Sequence, residues 1–305
     1  MNRRTLLKLS IAMGTSLALP DMVRSVSAKV VAKGNGLEIV TISDGYLRLP
    51  LSFIFPDIAQ EDLNEALGDL IVDGEFVENA LNLTLMRSEN RLVLFDAGSG
   101  SNFIPSAGDL ADNLDAIGVA PDEITDVVFT HAHPDHLWGI LDDFDDILFS
   151  EADLHISRAE FDFWRNPETL DLMPEARKPF AVGAKNRLDA IAEQVKLFEP
   201  GAEIVAGVEA VDTNGHTPGH TSFVIHGVGD PVMVLGDALT NYIISFEKPE
   251  WPSGTDHDPE QGMKTRKALL DQLSADAMRF VGYHLPNEGV GRVDKTAKGY
   301  RFNPS

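Results

Sequence analysis

Val127-Val128-Phe129-Thr130-His131-Ala132-His133-Pro134-Asp135-His136 runs from a short apolar, β-branched stretch straight into three histidines and an aspartate. The first four residues read as a strand covered on both faces. Alternate residues at a strand end point the same way, so His131 and His133 can grip one metal ion. Pro134 fixes a turn, and Asp135 and His136 follow at the start of a helix, displaced enough to reach a second ion beside the first. A strand that hands over to a helix at a cluster of ligands predicts a layered α/β fold with its chemistry at strand ends.

Three later segments supply partners of the same kind. Gly215-His216-Thr217-Pro218-Gly219-His220 is a Gly/Pro loop between two strand-like stretches, Asp237 follows the apolar run Val232–Leu235, and His284 lies in Gly282-Tyr283-His284-Leu285-Pro286. Asp237 is placed like a bridging carboxylate. His220 reads as a residue that packs or hydrogen-bonds beside the site. A lone histidine is more often a satisfied core or surface residue than a ligand, so His155, His226 and His257 are left unassigned.

Outward from this centre, strands and helices alternate to the end of the chain. Leu37–Ile42 reads as a strand closed by a turn at Ser43-Asp44-Gly45, and residues 79–86 and 91–95 as a hairpin. Residues 109–117 and about 261–274 have helical spacing, the stretch from Pro179 to Lys196 is helix-like, and strands are expected near 204–211, 221–225 and 232–235. No repeat of fixed period and no Pro/Gly/Ser-rich linker divides the chain, which predicts one domain over residues 29–305.

Composition narrows the chemistry. The 305 residues carry 25 Lys and Arg against 48 Asp and Glu, a formal charge of −23, which repels phosphate backbones and anionic lipid headgroups and argues against nucleic acid as a partner. There is no cysteine, so thiolate ligands, thiolate nucleophiles and disulfides are all excluded and only His, Asp and Glu remain to bind metal. Residues 1–28 begin Asn2-Arg3-Arg4, continue through a mildly apolar stretch too short to cross a bilayer, and end Val26-Ser27-Ala28. This segment resembles a twin-arginine export signal. The resemblance implies a periplasmic or secreted protein without a stable membrane anchor.

The ligand pattern resembles that of the metallo-β-lactamase superfamily, whose signature is His-x-His-x-Asp-His followed by a His, an Asp and a His from later strand ends. The resemblance implies a four-layer αβ/βα sandwich, with His131, His133 and His216 on one divalent ion, Asp135, His136 and His284 on a second, and Asp237 between them. It also assigns Asp96 to the support of a ligand. Imidazole and carboxylate donors suit zinc best, and also manganese, cobalt or iron. Two such ions about 3.5–4 Å apart share a hydroxide formed near neutral pH, and Asp135 or Asp237 can take or pass the proton.

Within the superfamily, Thr41-Ile42-Ser43-Asp44-Gly45, the two histidine segments and Gly299-Tyr300-Arg301-Phe302 resemble the methyl parathion hydrolase group. That likeness implies a dinuclear hydrolase of phosphotriesters, aryl esters or lactones, with Phe103, Trp164 and Phe180 forming an aromatic pocket over the metals. N-acyl homoserine lactonases share the seven-ligand plan and are the main alternative. A mononuclear iron dioxygenase of the same fold has no use for Asp135 and His284 as ligands. Residues 245–262, around Trp251-Pro252-Ser253-Gly254 and Asp256-His257-Asp258, do not resemble the group and are expected to reshape the pocket mouth. The expected partner is a small ester-like molecule. A homodimer is compatible with the sequence.

Overall fold

The structure is a computed structural model that describes residues 28–297 and 299–305. The export-signal reading of residues 1–28 therefore lies outside the described residues, except for Ala28, which opens the first strand. Strands β1 (Ala28–Gly34), β2 (Leu37–Pro50), β3 (Phe76–Arg87), β4 (Leu92–Phe95), β5 (Asp126–Val128), β6 (Asp153–Ser157) and β7 (Val195–Phe198) form one sheet in sequence order. Strands β8 (Glu203–Val205), β9 (Val208–Asp212), β10 (Thr221–Ile225), β11 (Val232–Val234), β12 (Arg279–Val281), β13 (Val290–Thr296) and β14 (Gly299–Pro304) form a second, again in order.

Side-chain alternation along single strands builds the layers. In β4, Val93 and Phe95 face the other sheet while Leu94 faces the helices; in β10, Phe223 and Ile225 face inward and Val224 outward. The two inward sets meet at Phe95 and Phe223, whose ring centroids are 5.5 Å apart. Each such buried Phe, Val or Ile contributes about 1.5–3 kcal/mol. The outer face of the first sheet packs on Leu114 of the helix Leu110–Ala116 and Leu188 of the helix Lys178–Ala190. The outer face of the second packs on Leu269, Leu270 and Leu273 of the helix Pro259–Ala275. Helix, sheet, sheet and helix make the four-layer sandwich expected from the sequence.

Parallel pairing joins β4 to β5, β5 to β6, β6 to β7 and β11 to β12, and helical crossovers connect several of these pairs. Among the described residues no helix is long and apolar enough to cross a membrane. One expectation is corrected. Ser43-Asp44-Gly45 does not end the first predicted strand: β2 passes through it with a register shift between Ser43 and Tyr46 and continues to Pro50. The Asp44 carboxylate is turned inward, where it accepts from the backbone N–H groups of Ser99 and Leu110 at 2.8 Å.

At the end of the first sheet remote from the histidines, Asp126 accepts two hydrogen bonds from Arg91 Nη1 (2.8 and 2.7 Å) and one from Thr125 Oγ1 (2.7 Å), and pairs with His155 Nε2 (3.1 Å). Burial alone raises its pKa, but the bonds from His155, Thr125 and Arg91 outweigh burial and bring it down to about 2. A carboxylate with a depressed pKa stabilises the fold above its unfolded pKa and loses that stabilisation as pH falls through the folded value. Arg91 is partly exposed, so the discounted effect is on the order of 1–2 kcal/mol. Asp126→Asn is expected to lower the urea midpoint at pH 6 by that much, with the gap to the parent closing near pH 2. A gap independent of pH contradicts this account.

Candidate metal centre

The loops that carry the histidines and aspartates all lie at one end of the sandwich. His131 and His133 leave β5, His216 precedes β10, Asp237 follows β11 and His284 follows β12. The backbone N–H of Thr221 donates to the carbonyl of Thr130 at 2.9 Å, which ties the end of β5 to the start of β10 and draws the two sheets together at the site.

The donor atoms converge in two groups. His131 Nε2 lies 3.0 Å and His216 Nε2 2.9 Å from His133 Nδ1, and Asp237 Oδ2 is 3.3 Å from His216 Nε2. In the second group His136 Nε2 and His284 Nε2 stand 3.4 and 3.3 Å from Asp135 Oδ2. Asp237 belongs to both: Oδ1 is 3.1 Å from His136 Nε2, and Oδ2 is 3.1 Å from His284 Nε2. All seven residues expected from the sequence are thus brought together.

This set fits a dinuclear divalent metal site on three counts. Asp135 Oδ2, His136 Nε2 and Asp237 Oδ1 are buried with no hydrogen-bond partner, a costly arrangement unless a cation takes their lone pairs. Burial, reinforced by neighbouring imidazoles, holds His131 and His133 well below the usual histidine range, whereas against burial the carboxylates of Asp237 and Asp135 push His136 well up and bring His284 to about 10, a demand for positive charge that a bound cation would meet. Each of the five histidines also has its outward nitrogen engaged. His131 Nδ1 meets Thr130 Oγ1 (3.0 Å), His136 Nδ1 meets Asp96 (2.8 Å), His216 Nδ1 meets Asp256 (3.1 Å), and His284 Nδ1 donates to the Ala80 carbonyl (3.0 Å). His133 Nε2 lies 3.3 Å from His257 Nε2. Outer partners of this kind fix the tautomer and ring orientation of a metal ligand.

Asp96 is where the sequence places it, accepting also from the Thr130 N–H at 2.7 Å, with a left-handed backbone (φ 66°) of the strained kind found at functional sites. His220 is likewise beside the site: its Nε2 accepts the Asp237 N–H at 2.9 Å and its Nδ1 pairs with Thr213 Oγ1 at 2.9 Å. Burial pulls its pKa down to about 3, which keeps Nε2 an acceptor.

A cavity opens over the donors, lined by Leu47, Leu49, Phe53, Phe103, Phe180 and Arg177 among others. Its mostly apolar wall and the polar donors converging at its floor suit a small molecule. Phe103 and Phe180 meet edge to face at 6.0 Å on its wall, as expected. Trp164 does not reach it. Its indole is buried behind His133 at 5.7 Å and donates Nε1–H to Glu160 Oε1 at 2.6 Å, because the one-sided apolar face of the helix Arg158–Arg165 turns it into the core.

Four residues here were not singled out from the sequence. Glu160 accepts from the Ala132 N–H (2.9 Å) and Trp164 with Oε1, and from Thr217 Oγ1 (2.7 Å) and the Gly219 N–H (3.0 Å) with Oε2. It joins the two histidine loops across a contact so close that a Cβ on Gly219 would lie 2.1 Å from the Glu160 nitrogen. Tyr283 donates its hydroxyl to the Asp135 carbonyl (2.6 Å), and Asn82 donates to the carbonyls of Tyr283 (2.9 Å) and Leu285 (2.8 Å), bracketing His284. The fourth is Asp256. Its segment grips the first histidine group: the His257 N–H donates to the His216 carbonyl (2.9 Å), the Asp258 N–H to that of Gly215 (3.0 Å), and Arg266 Nη2 to Asp256 Oδ2 (3.0 Å). The same segment meets the cavity lip, where the Gly254 N–H donates to the Ile54 carbonyl (2.6 Å) and a Cβ on Gly254 would lie 2.5 Å from the Phe53 oxygen.

Comparison with known proteins agrees with this geometry. The solved structure of AidC, a dizinc quorum-quenching lactonase, superposes with a TM-score of 0.85 at 28% identity, covering 91% of this chain and 97% of that one. AbOPH, a hydrolase in the beta-lactamase superfamily, gives 0.82 at 26% identity over 91% and 98%. Metallo-beta-lactamase domain-containing protein 1 of Xenopus laevis is 28% identical over 200 residues, 65% of this chain and 70% of that protein. Residues 78–284, which hold every donor, match the family model of the metallo-beta-lactamase superfamily, and with this fold and this donor set the chain belongs to that superfamily of hydrolases.

Proposed function

We propose that the protein is a dinuclear zinc hydrolase of small esters, with lactones and aryl esters as its main substrates. The observation that carries this reading is the convergence of seven imidazole and carboxylate donors, three of their atoms unsatisfied, at the floor of a mostly apolar cavity. His131, His133 and His216 would hold one ion, Asp135, His136 and His284 the other, with Asp237 shared. When bound, the ions supply Lewis acidity and bring the pKa of water to about 7.

The chain's own residues do the rest. Phe103 and Phe180 exclude water and seat the apolar part of the ester. Tyr283 and His220 fix the backbones of Asp135 and Asp237, the two carboxylates that face the cavity. The Asp135 carboxylate lines the cavity, where its oxygen not engaged by an ion can hold the proton on its way to the departing alcohol. The likeness to AidC supports a lactone, and the resemblance of the histidine segments to the methyl parathion hydrolase group keeps a phosphotriester as the second reading. The export reading of residues 1–28 forms part of the proposal and is tested by fractionating cells that express the full chain.

The deciding assay compares initial rates on an N-acyl homoserine lactone, p-nitrophenyl butyrate and methyl parathion, with and without chelator. Lactone or aryl-ester cleavage that chelation removes by at least about a hundredfold and zinc restores is expected. Cleavage of methyl parathion alone moves the assignment to the second reading. Silence on all three overturns both.

A further inference from the structure

Arg177 is the anomaly of the cavity wall. It is half-buried, its guanidinium carbon lies 5.3 Å over the ring of Phe53, and it lines the same cavity as Asp135, Asp237 and His284. Among the described residues its side chain makes no hydrogen bond, and no carboxylate lies within ion-pair distance of it. Three other partly or fully buried arginines have partners: Arg187 donates to the Trp138 and Gly183 carbonyls, Arg279 to that of Val31, and Arg266 to Asp256; Arg87, whose Nε is also without one among the described residues, does not line the cavity. The Asp256 carboxylate acts on Arg177 electrostatically, but it is spent on His216 and Arg266. Burial therefore pulls the Arg177 pKa below its usual range, with Asp256 opposing only in part. In a chain with 48 acidic residues, a cation on the cavity wall left unpaired among the described residues marks a missing partner.

We infer that Arg177 is a specificity-determining residue that binds a carboxylate on the substrate, at a position distinct from the scissile carbonyl. A neutral carbonyl could accept from the guanidinium but would not offset its charge, whereas a carboxylate does both and matches its planar fork. The aromatic contact with Phe53 holds one face of the fork and leaves its donor edge for the ligand. The substrate class is then an ester or lactone with an apolar middle, seated on Phe103 and Phe180, and a free carboxylate. This inference rests on the ester-hydrolase reading for its substrate class.

The test compares two chromogenic esters of equal length, the p-nitrophenyl hemiester of glutaric acid and p-nitrophenyl valerate, on the zinc-loaded full chain and on Arg177→Met and Arg177→Lys. Arg177→Met is expected to lower kcat/KM for the hemiester by about 30-fold, the range of a hydrogen bond to a charged group. It should change that for the valerate by less than about threefold, and Arg177→Lys should recover part of the loss. Equal loss on both esters overturns the inference, as does a parent enzyme that prefers the valerate. Calorimetric titration with 4-phenylbutyrate and with 4-phenylbutyramide separates this from failure of the hydrolase reading. If neither ester is cleaved, the inference still requires the carboxylate to bind the parent at least about tenfold tighter than the amide, a preference lost in Arg177→Met. If Arg177→Met keeps that preference, the anion is held elsewhere and the inference fails.

Discussion

Asp237→Asn is expected to fold normally and to lose at least about a thousandfold in ester hydrolysis, the equivalent of several kcal/mol of transition-state stabilisation by a metal site. The substitution keeps the shape of the side chain and removes its charge. It acts on both donor groups at once, since Oδ1 faces His136 while Oδ2 faces His216 and His284. The Asp237 N–H stays bonded to His220, so the backbone of the loop is preserved. Elemental analysis of the purified protein should show fewer than two metal ions per chain, and circular dichroism should match the parent. Full activity with two ions bound would remove Asp237 from the proposed bridging position.

Glu160→Ala should produce the largest change in stability. The carboxylate is the common acceptor for Ala132, Trp164, Thr217 and Gly219, and its removal leaves four buried donors without a partner. At a net cost of about 1 kcal/mol each, the fold loses roughly 4 kcal/mol. For a chain of this size that lowers the melting temperature by about 8–16 °C. Because the four donors belong to or flank the loops of His131, His133 and His216, zinc affinity in a chelator competition should also fall by about 10–100-fold. A melting temperature within about two degrees of the parent would show that water replaces the carboxylate without penalty.

The histidine segments were legible because spacing and order carry their geometry. His131 and His133 alternate on a strand end, Pro134 starts the next helix, and Asp237 and His284 each follow an apolar strand. The layers were legible for a related reason, since alternation in β4 and β10 is written directly in Val, Leu, Phe and Ile. Residues that act through tertiary contacts left no such trace. Glu160 in Arg158-Ala159-Glu160 looks like a solvated helix charge, and only the approach of Gly219 shows that it is enclosed. Trp164 was assigned to the pocket by likeness of segment, but one turn of helix decides whether an indole faces the cavity or the core. Ser43-Asp44-Gly45 has turn composition, and its bulge depends on backbone donors from Ser99 and Leu110 more than fifty residues away. His257 and Asp256 lie in a segment that does not resemble the methyl parathion hydrolase group, so their contacts with His133 and His216 came only from the structure.

That segment also limits how this enzyme can change its diet. Residues 254–258 touch the cavity lip at Phe53 and Ile54 on one side and the supports of His133 and His216 on the other. A substitution there that widens the mouth for a new molecule also disturbs the histidines that do the work, so gain and loss arrive together. Phe103 and Phe180, which meet each other on another part of the cavity wall, carry no such double duty. Adaptation to new esters under selection is therefore expected to collect on that wall, with the 254–258 segment as the part that stays fixed.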